Sequence, residues 1–146
     1  MAGAQSPEPI VVTHERGRRF ASRIRGHRIV TDQSSRAGGD DSAPTPLELL
    51  SAALGSCIAL YVYQFCTSRG ILHEGLRIEV LPINGTGPNR IAELRVTVRL
   101  GQELSPHVRE MLERVVRSCP VHNTLAHGAA VAVAIEDAAR LDVFAN

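Results

Sequence analysis

A chain of 146 residues, 44% hydrophobic and 21% charged with a formal net charge of +1, has the size and composition of one domain that buries its own core without disulfide staples. A balance this close to neutral supplies no bulk attraction for nucleic acid or an anionic membrane. All 16 basic residues are arginine, a bias that carries no functional reading.

The chain reads as a single domain over 1–146, in which the stretch 1–9, with Pro7 and Pro9, is a loose leader. It lacks the basic start and apolar run of a signal peptide. Residues 10–32 hold β-branched runs broken at Gly17 and Gly26, which predicts two or three antiparallel strands joined by tight turns. Residues 33–46, with paired glycines, paired aspartates and two prolines, form a loop. Thr45, Pro46 and Glu48 then have the spacing of a capping box with proline at the first helical position, and the helix they start runs to about Ser68 and stops at Gly70.

Leu49 to Ser68 carries no charge and has the length of a spanning helix. Ser51, Gly55, Ser56, Gln64, Thr67 and Ser68 interrupt it, however, and no second such segment follows. It reads as the central helix of a soluble core, with no membrane. "GLRIEVLPI" and "NRIAELRVTVRL" alternate apolar and polar around the turn "NGTGPN", a hairpin with one wet face. Val108, Met111, Leu112, Val115 and Val116 make a helical stripe over 105–119, capped by Ser105 and opened by Pro106. After Pro120 comes a short irregular or helical piece to Gly128, and then "AAVAVAI" reads as a final strand. Strands, helix, strands, helix, strand is an α+β order of antiparallel sheets around a long central helix. Two helices cover too little of these sheets, and the central helix is too apolar for one small sheet. An intertwined homodimer answers both.

An odd count of 3 cysteines and no secretory leader place the chain in the cytoplasm, where a structural disulfide does not persist. Cys57 and Cys66 stand nine residues apart on the helix, which at about 100° per residue puts them on opposite faces, about 13 Å apart along the axis. Cys57 shares a line with Leu50, Leu54 and Tyr61. Cys119 ends the second helix before Pro120, so Cys57 and Cys119 come within disulfide reach if the two helices pack. From spacing alone, the reading of these thiols as small buried hydrophobes is the stronger one.

"TPLELLSAALGSC", followed some sixty residues later by "CPVHNTL", resembles the OsmC/Ohr family of thiol peroxidases. The likeness extends to the N-terminal strands, the "GG" loop and the final strand, and within the family it is nearest the OsmC-like branch. It implies an OsmC-like fold and a peroxidase acting on organic or fatty-acid hydroperoxides. In that reading Cys57 is the peroxidatic thiol that becomes a sulfenic acid, and Cys119 is the resolving thiol that closes a disulfide. An external dithiol or lipoyl-type reductant reopens the disulfide, and no bound cofactor is implied. The thiolate is the nucleophile and needs a cationic neighbour. The family supplies an arginine and an acidic residue, and Glu48 with either Arg18 or Arg36 are the positions that match. The acidic residue of the hydroperoxide-resistance branch directly follows the proline, where this chain has Leu47. That departure keeps a second reading open, a redox-sensing or apolar-ligand-binding module that has the fold and the thiols.

Six arginines within 16–28 read as a solvated strand face in preference to a nucleic-acid surface. Cys119, His122 and His127 match no familiar zinc spacing. A thiol hydrolase built on Cys57 and His122 requires the histidine within hydrogen-bond reach of the sulfur. Tyr61, Tyr63 and Phe65 are expected to line an apolar pocket beside Cys57.

Overall fold

The computed structural model describes residues 8–136. Residues 1–7, most of the expected leader, lie outside the described residues. Three strands, β1 (Val11–Arg16), β2 (Arg19–Ile24) and β3 (His27–Thr31), form an antiparallel sheet in the order β1-β2-β3. The turns fall at Gly17 and at Arg25-Gly26, as the breaker residues predict. All six residues of β1 are exposed. The arginines of this sheet are solvated or paired at the surface, Arg19 and Arg28 with Glu15 and Arg16 with Asp40.

The loop from this sheet to the first helix is pinned by Asp32. Its buried carboxylate accepts from the Gln33 amide at 2.8 Å, the Ser42 amide at 3.1 Å and the Ser42 hydroxyl at 2.7 Å. These bonds, the Ser42 hydroxyl first, hold its pKa down at about 2. Gly39 is obligatory here, since a Cβ on it would sit 2.0 Å from the Gln33 carbonyl oxygen.

The long helix α1 (Pro46–Ser68) starts as its sequence dictates. Thr45 Oγ1 accepts from the Glu48 amide at 3.3 Å, and the Glu48 carboxylate accepts from the Thr45 amide at 2.7 Å. By length and composition α1 is apolar enough to cross a membrane. In this fold it packs on the hairpin of β4 (Arg77–Asn84) and β5 (Ile91–Arg99), and on α2 (Pro106–Arg117) and α3 (Pro120–His127). Leu54, Ile58, Val62, Phe65 and Cys66 of α1 form the buried core with Leu112 and Cys119. Ile78, Val80, Leu94, Val96 and Val98 close it from the inner face of the hairpin. Gly55 lets helix and sheet meet, because a Cβ there would lie 3.1 Å from Val80 Cγ2.

One expected element is absent. Residues 129–135 form no strand. Val131, Val133 and Ile135 are 82–89% exposed, and among the described residues no backbone hydrogen bond holds the segment. A strand exists only by pairing, and among the described residues no strand lies beside these residues. The pocket walls also differ from expectation. Tyr63 is exposed and meets His73 edge to face, while Phe65 is buried with the Arg69 guanidinium 4.1 Å over its ring. Only Tyr61 is half-buried against the core.

Two consequences can be measured. Gly55→Val forces α1 off β4 and is expected to cost about 1–3 kcal/mol in denaturant unfolding; an unchanged midpoint would mean that the contact yields freely. Asp32 has a depressed pKa, so its contribution to stability is complete above the ordinary carboxylate range and is lost as pH falls toward about 2. The stability advantage of the native protein over Asp32→Asn should therefore shrink steadily from pH 4 downward, and a gap that stays constant would remove this role.

Candidate functional site

Cys57 lies midway along α1 on the face turned to α3, half-buried. Cys119 is fully buried and is the N-cap residue of α3, with φ −58° and ψ 128°. The packing of α1 on α2 and α3 brings the Cys119 thiol close enough to Cys57 to shift its pKa, and both thiols are free. The sequence anticipates this pair only on condition that the helices pack. Cys66, nine residues on, is fully buried in the core, and burial pushes its thiol pKa up.

A third group completes the contact. Pro120, the first residue of α3, has no amide proton, so the first donor the helix offers is the Val121 amide, which lowers the pKa of the neighbouring Cys57 thiol. The first turn of a helix carries unpaired N–H groups and a partial positive charge, which favour a thiolate. Reasoning from side chains alone misses this donor. The signal was available in Cys119-Pro120, since a proline that opens a helix fixes where its free amides begin.

The forces on Cys57 are opposed. Desolvation by burial and the neighbouring Cys119 thiol raise its pKa, the Val121 amide lowers it, and the net direction is upward. Among the described residues no arginine or carboxylate acts on it. Arg18 is exposed, with its guanidinium packed over Gly38, where a Cβ would lie 3.2 Å from it. Arg36 is exposed in a 3-10 turn, Ser35–Ala37. Glu48 spends its carboxylate on the cap at Thr45. The structure thus brings Cys57 and Cys119 together and leaves Arg18, Arg36 and Glu48 away from them.

Two grooves flank α1. One of about 610 Å³ runs between α1 and β4, past Glu48, Gly55, Ser56 and Val80. The other, of about 360 Å³, lies between α1, β5 and α3, and its walls include Leu54 and His122. Each of these stands three residues along its helix from a thiol, Leu54 from Cys57 and His122 from Cys119. His122 Nδ1 is buried and makes no hydrogen bond among the described residues, and His122 is not among the groups that act on Cys57. His127 Nδ1 pairs with the Asn123 carbonyl at 2.9 Å. Among the described residues no three ligating side chains gather for a metal.

An α+β chain with a contacting thiol pair, one thiol central on a long helix and the other capping a short one, defines a narrow class. The chain belongs to the OsmC/Ohr family: the model of the OsmC-like protein family matches residues 39–134. No curated protein matches it. Among solved structures, a Psychrobacter arcticus 273-4 protein named for osmotic stress induction and a detoxification response superposes with a TM-score of 0.74. It is 22% identical, and the match covers 84% of this chain and 90% of that one. An OsmC-like protein from Mycoplasma pneumoniae gives 0.65 at 18% identity, covering 84% and 89%. An organic hydroperoxide resistance protein OsmC from Legionella pneumophila gives 0.55 at 13%, covering 83% and 91%. At these identities the likeness is one of fold.

Because Cys119 is one of the two causes that raise the Cys57 pKa, Cys119→Ala should move the midpoint of Cys57 alkylation to lower pH. Iodoacetamide rates followed across pH test this, and an upward or absent shift would contradict the thiol contact.

Proposed function

We propose that this protein is a thiol-dependent peroxidase that reduces organic hydroperoxides, fatty-acid hydroperoxides among them. The contact between Cys57 and Cys119 carries the reading. The Cys57 thiolate attacks the terminal oxygen of ROOH, the O–O bond breaks, and the alkoxide leaves and takes up a proton as ROH. Cys57 is then a sulfenic acid. The Cys119 sulfur displaces its hydroxyl, which departs with the Cys119 proton as water, and a disulfide forms. A dithiol or lipoyl-type reductant returns two electrons and two protons and restores both thiols. This chemistry suits the reducing cytoplasm.

The working unit in this proposal is an intertwined homodimer with the central helices at its interface. Leu47, Leu60 and Tyr63 on α1 are 45–50% exposed, β1 presents Val11 and Val12 to solvent, and residues 129–135 pair with no strand among the described residues. A second copy is an occupant that covers all three surfaces at once. It also answers the electrostatics, since a Cys57 thiol raised by burial needs a cation and none among the described residues of its own chain acts on it. Arg18 or Arg36 of a second copy supplies that charge.

The upward Cys57 pKa and Leu47 at the position after Pro46 favour one alternative, a redox-sensing or apolar-ligand-binding module with little or no peroxidase activity. Peptide mapping of the reduced protein after one equivalent of cumene hydroperoxide, beside a hydrogen peroxide control, separates the two. The peroxidase yields a rapid Cys57–Cys119 disulfide with Cys66 free and the organic peroxide preferred, and Cys57→Ser abolishes turnover. Thiols that stay reduced for many minutes, or full activity in Cys57→Ser, would overturn it.

A further inference from the structure

Beyond the buried Cys119 thiol, His122 holds in its Nδ1 the one buried side-chain nitrogen or oxygen that finds no hydrogen-bond partner among the described residues. An orphaned atom of this kind disfavours the folded state, and where it persists it marks strain or chemistry. His122 is the third residue of α3, and Cys119 is the N-cap of that helix. Helical side chains lean toward the N-terminus, so the third position stands over the cap, as in a capping box. The imidazole is thereby set on the side of the first turn where the thiol lies. Cys119 makes no side-chain cap bond of its own, so its sulfur is not tied to the helix backbone.

The same residue also reaches the outside. His122 as a whole is half-buried and lines the groove between α1, β5 and α3, while Cys119 is fully buried. One side chain thus spans the interval between an enclosed thiol and an open groove. The resolving step needs such a span, because the Cys119 sulfur attacks as a thiolate and its proton has to leave. The other carboxylates and imidazoles of α1, β5 and α3 are engaged. Glu48 caps α1, Glu93 pairs with Arg95 at 2.8 and 3.1 Å, and His127 Nδ1 is bonded to the Asn123 carbonyl at 2.9 Å.

We propose that His122 is the base of the resolving step and that its ring carries the Cys119 proton between the buried thiol and the groove. Nδ1 accepts the proton as the Cys119 sulfur bonds to the Cys57 sulfur; the sulfenic hydroxyl leaves and takes a proton back from the imidazolium as water. In the reduced state Nδ1 holds no bond to Cys119, and bonds of this kind tighten as the reaction proceeds. This role deepens the peroxidase reading and rests on it for the step served.

The test replaces peroxide by dithiobis(nitrobenzoate), so that it stands apart from peroxidase turnover. The half-buried Cys57 thiol of the reduced full-length protein displaces one nitrothiobenzoate and forms a mixed disulfide. Cys119 then displaces the second, in a first-order phase whose rate is independent of reagent concentration. That leaving group departs as an anion and needs no proton, so the second phase isolates the release of the Cys119 proton. His122→Gln should slow the second phase about tenfold or more and leave the first within about twofold. His122→Ala should be slowed likewise and recover in added imidazole, but not in pyrrole, which fills the same space without a basic nitrogen. A second phase unchanged in both variants, a first phase slowed as much as the second, imidazole that rescues no better than pyrrole, or a native protein with no second phase would each overturn the role. A second phase that ignores His122, in a protein whose thiols form the disulfide with peroxide, loses the relay and keeps the peroxidase. One that depends on His122 while peroxide leaves the thiols reduced keeps the relay and loses the peroxidase.

Discussion

The approach of α1 to the β4–β5 hairpin at Gly55 sets the position of the other parts. With no side chain at that point the helix lies close on the sheet, and Leu54 and Ile58 on either side enter the core that α2 closes with Leu112. Cys57 is two residues further along the same helix, so its depth and direction follow from this packing. α2 delivers Cys119 to the same place from the other side. The thiol contact thus results from two independent packing decisions, one at Gly55 and one at Leu112.

A second constraint is electrostatic. Burial and a neighbouring thiol both disfavour charge on Cys57, and one backbone amide opposes them. A nucleophilic thiol needs the balance reversed. Among the described residues no cation is among the causes that shift Cys57, and Arg18 and Arg36 lie on the β1–β3 sheet and on the loop that Asp32 holds in shape. That sheet makes no substantial packing contact with the helices or the hairpin. A lobe that carries arginines but has no core of its own, beside a thiol that lacks a cation, is a complementary pair of deficits. The proposed dimer resolves them together.

The local features were the readable ones. Thr45 to Glu48, Ser105-Pro106 and the alternation of β4 and β5 each encode their element within a few residues, and each appears where the pattern puts it. Glu48 shows how one residue supports two readings: its spacing from Thr45 fits a cap and its place before Cys57 fits a catalytic acid, and the geometry here is the cap. "AAVAVAI" has the composition of a strand, but composition does not specify a partner, and among the described residues the segment has none. The meeting of Cys57 with Cys119 depends on helix packing across more than sixty residues of sequence, which spacing alone does not encode. Arg18 and Arg36 were undecided for the same reason, since proximity to a thiol is tertiary information.

Among the described residues, the one group that favours a thiolate at Cys57 is the backbone amide of Val121. No side-chain substitution at position 121 removes it, provided the new residue keeps its amide proton and the helix still begins at Pro120. The chemistry here is therefore inherited through the place where a helix starts, and the side chain at that position is left free to drift. Comparison of side chains alone would overlook this contact in distant relatives, and would also overlook its loss if an insertion moved the proline by one residue.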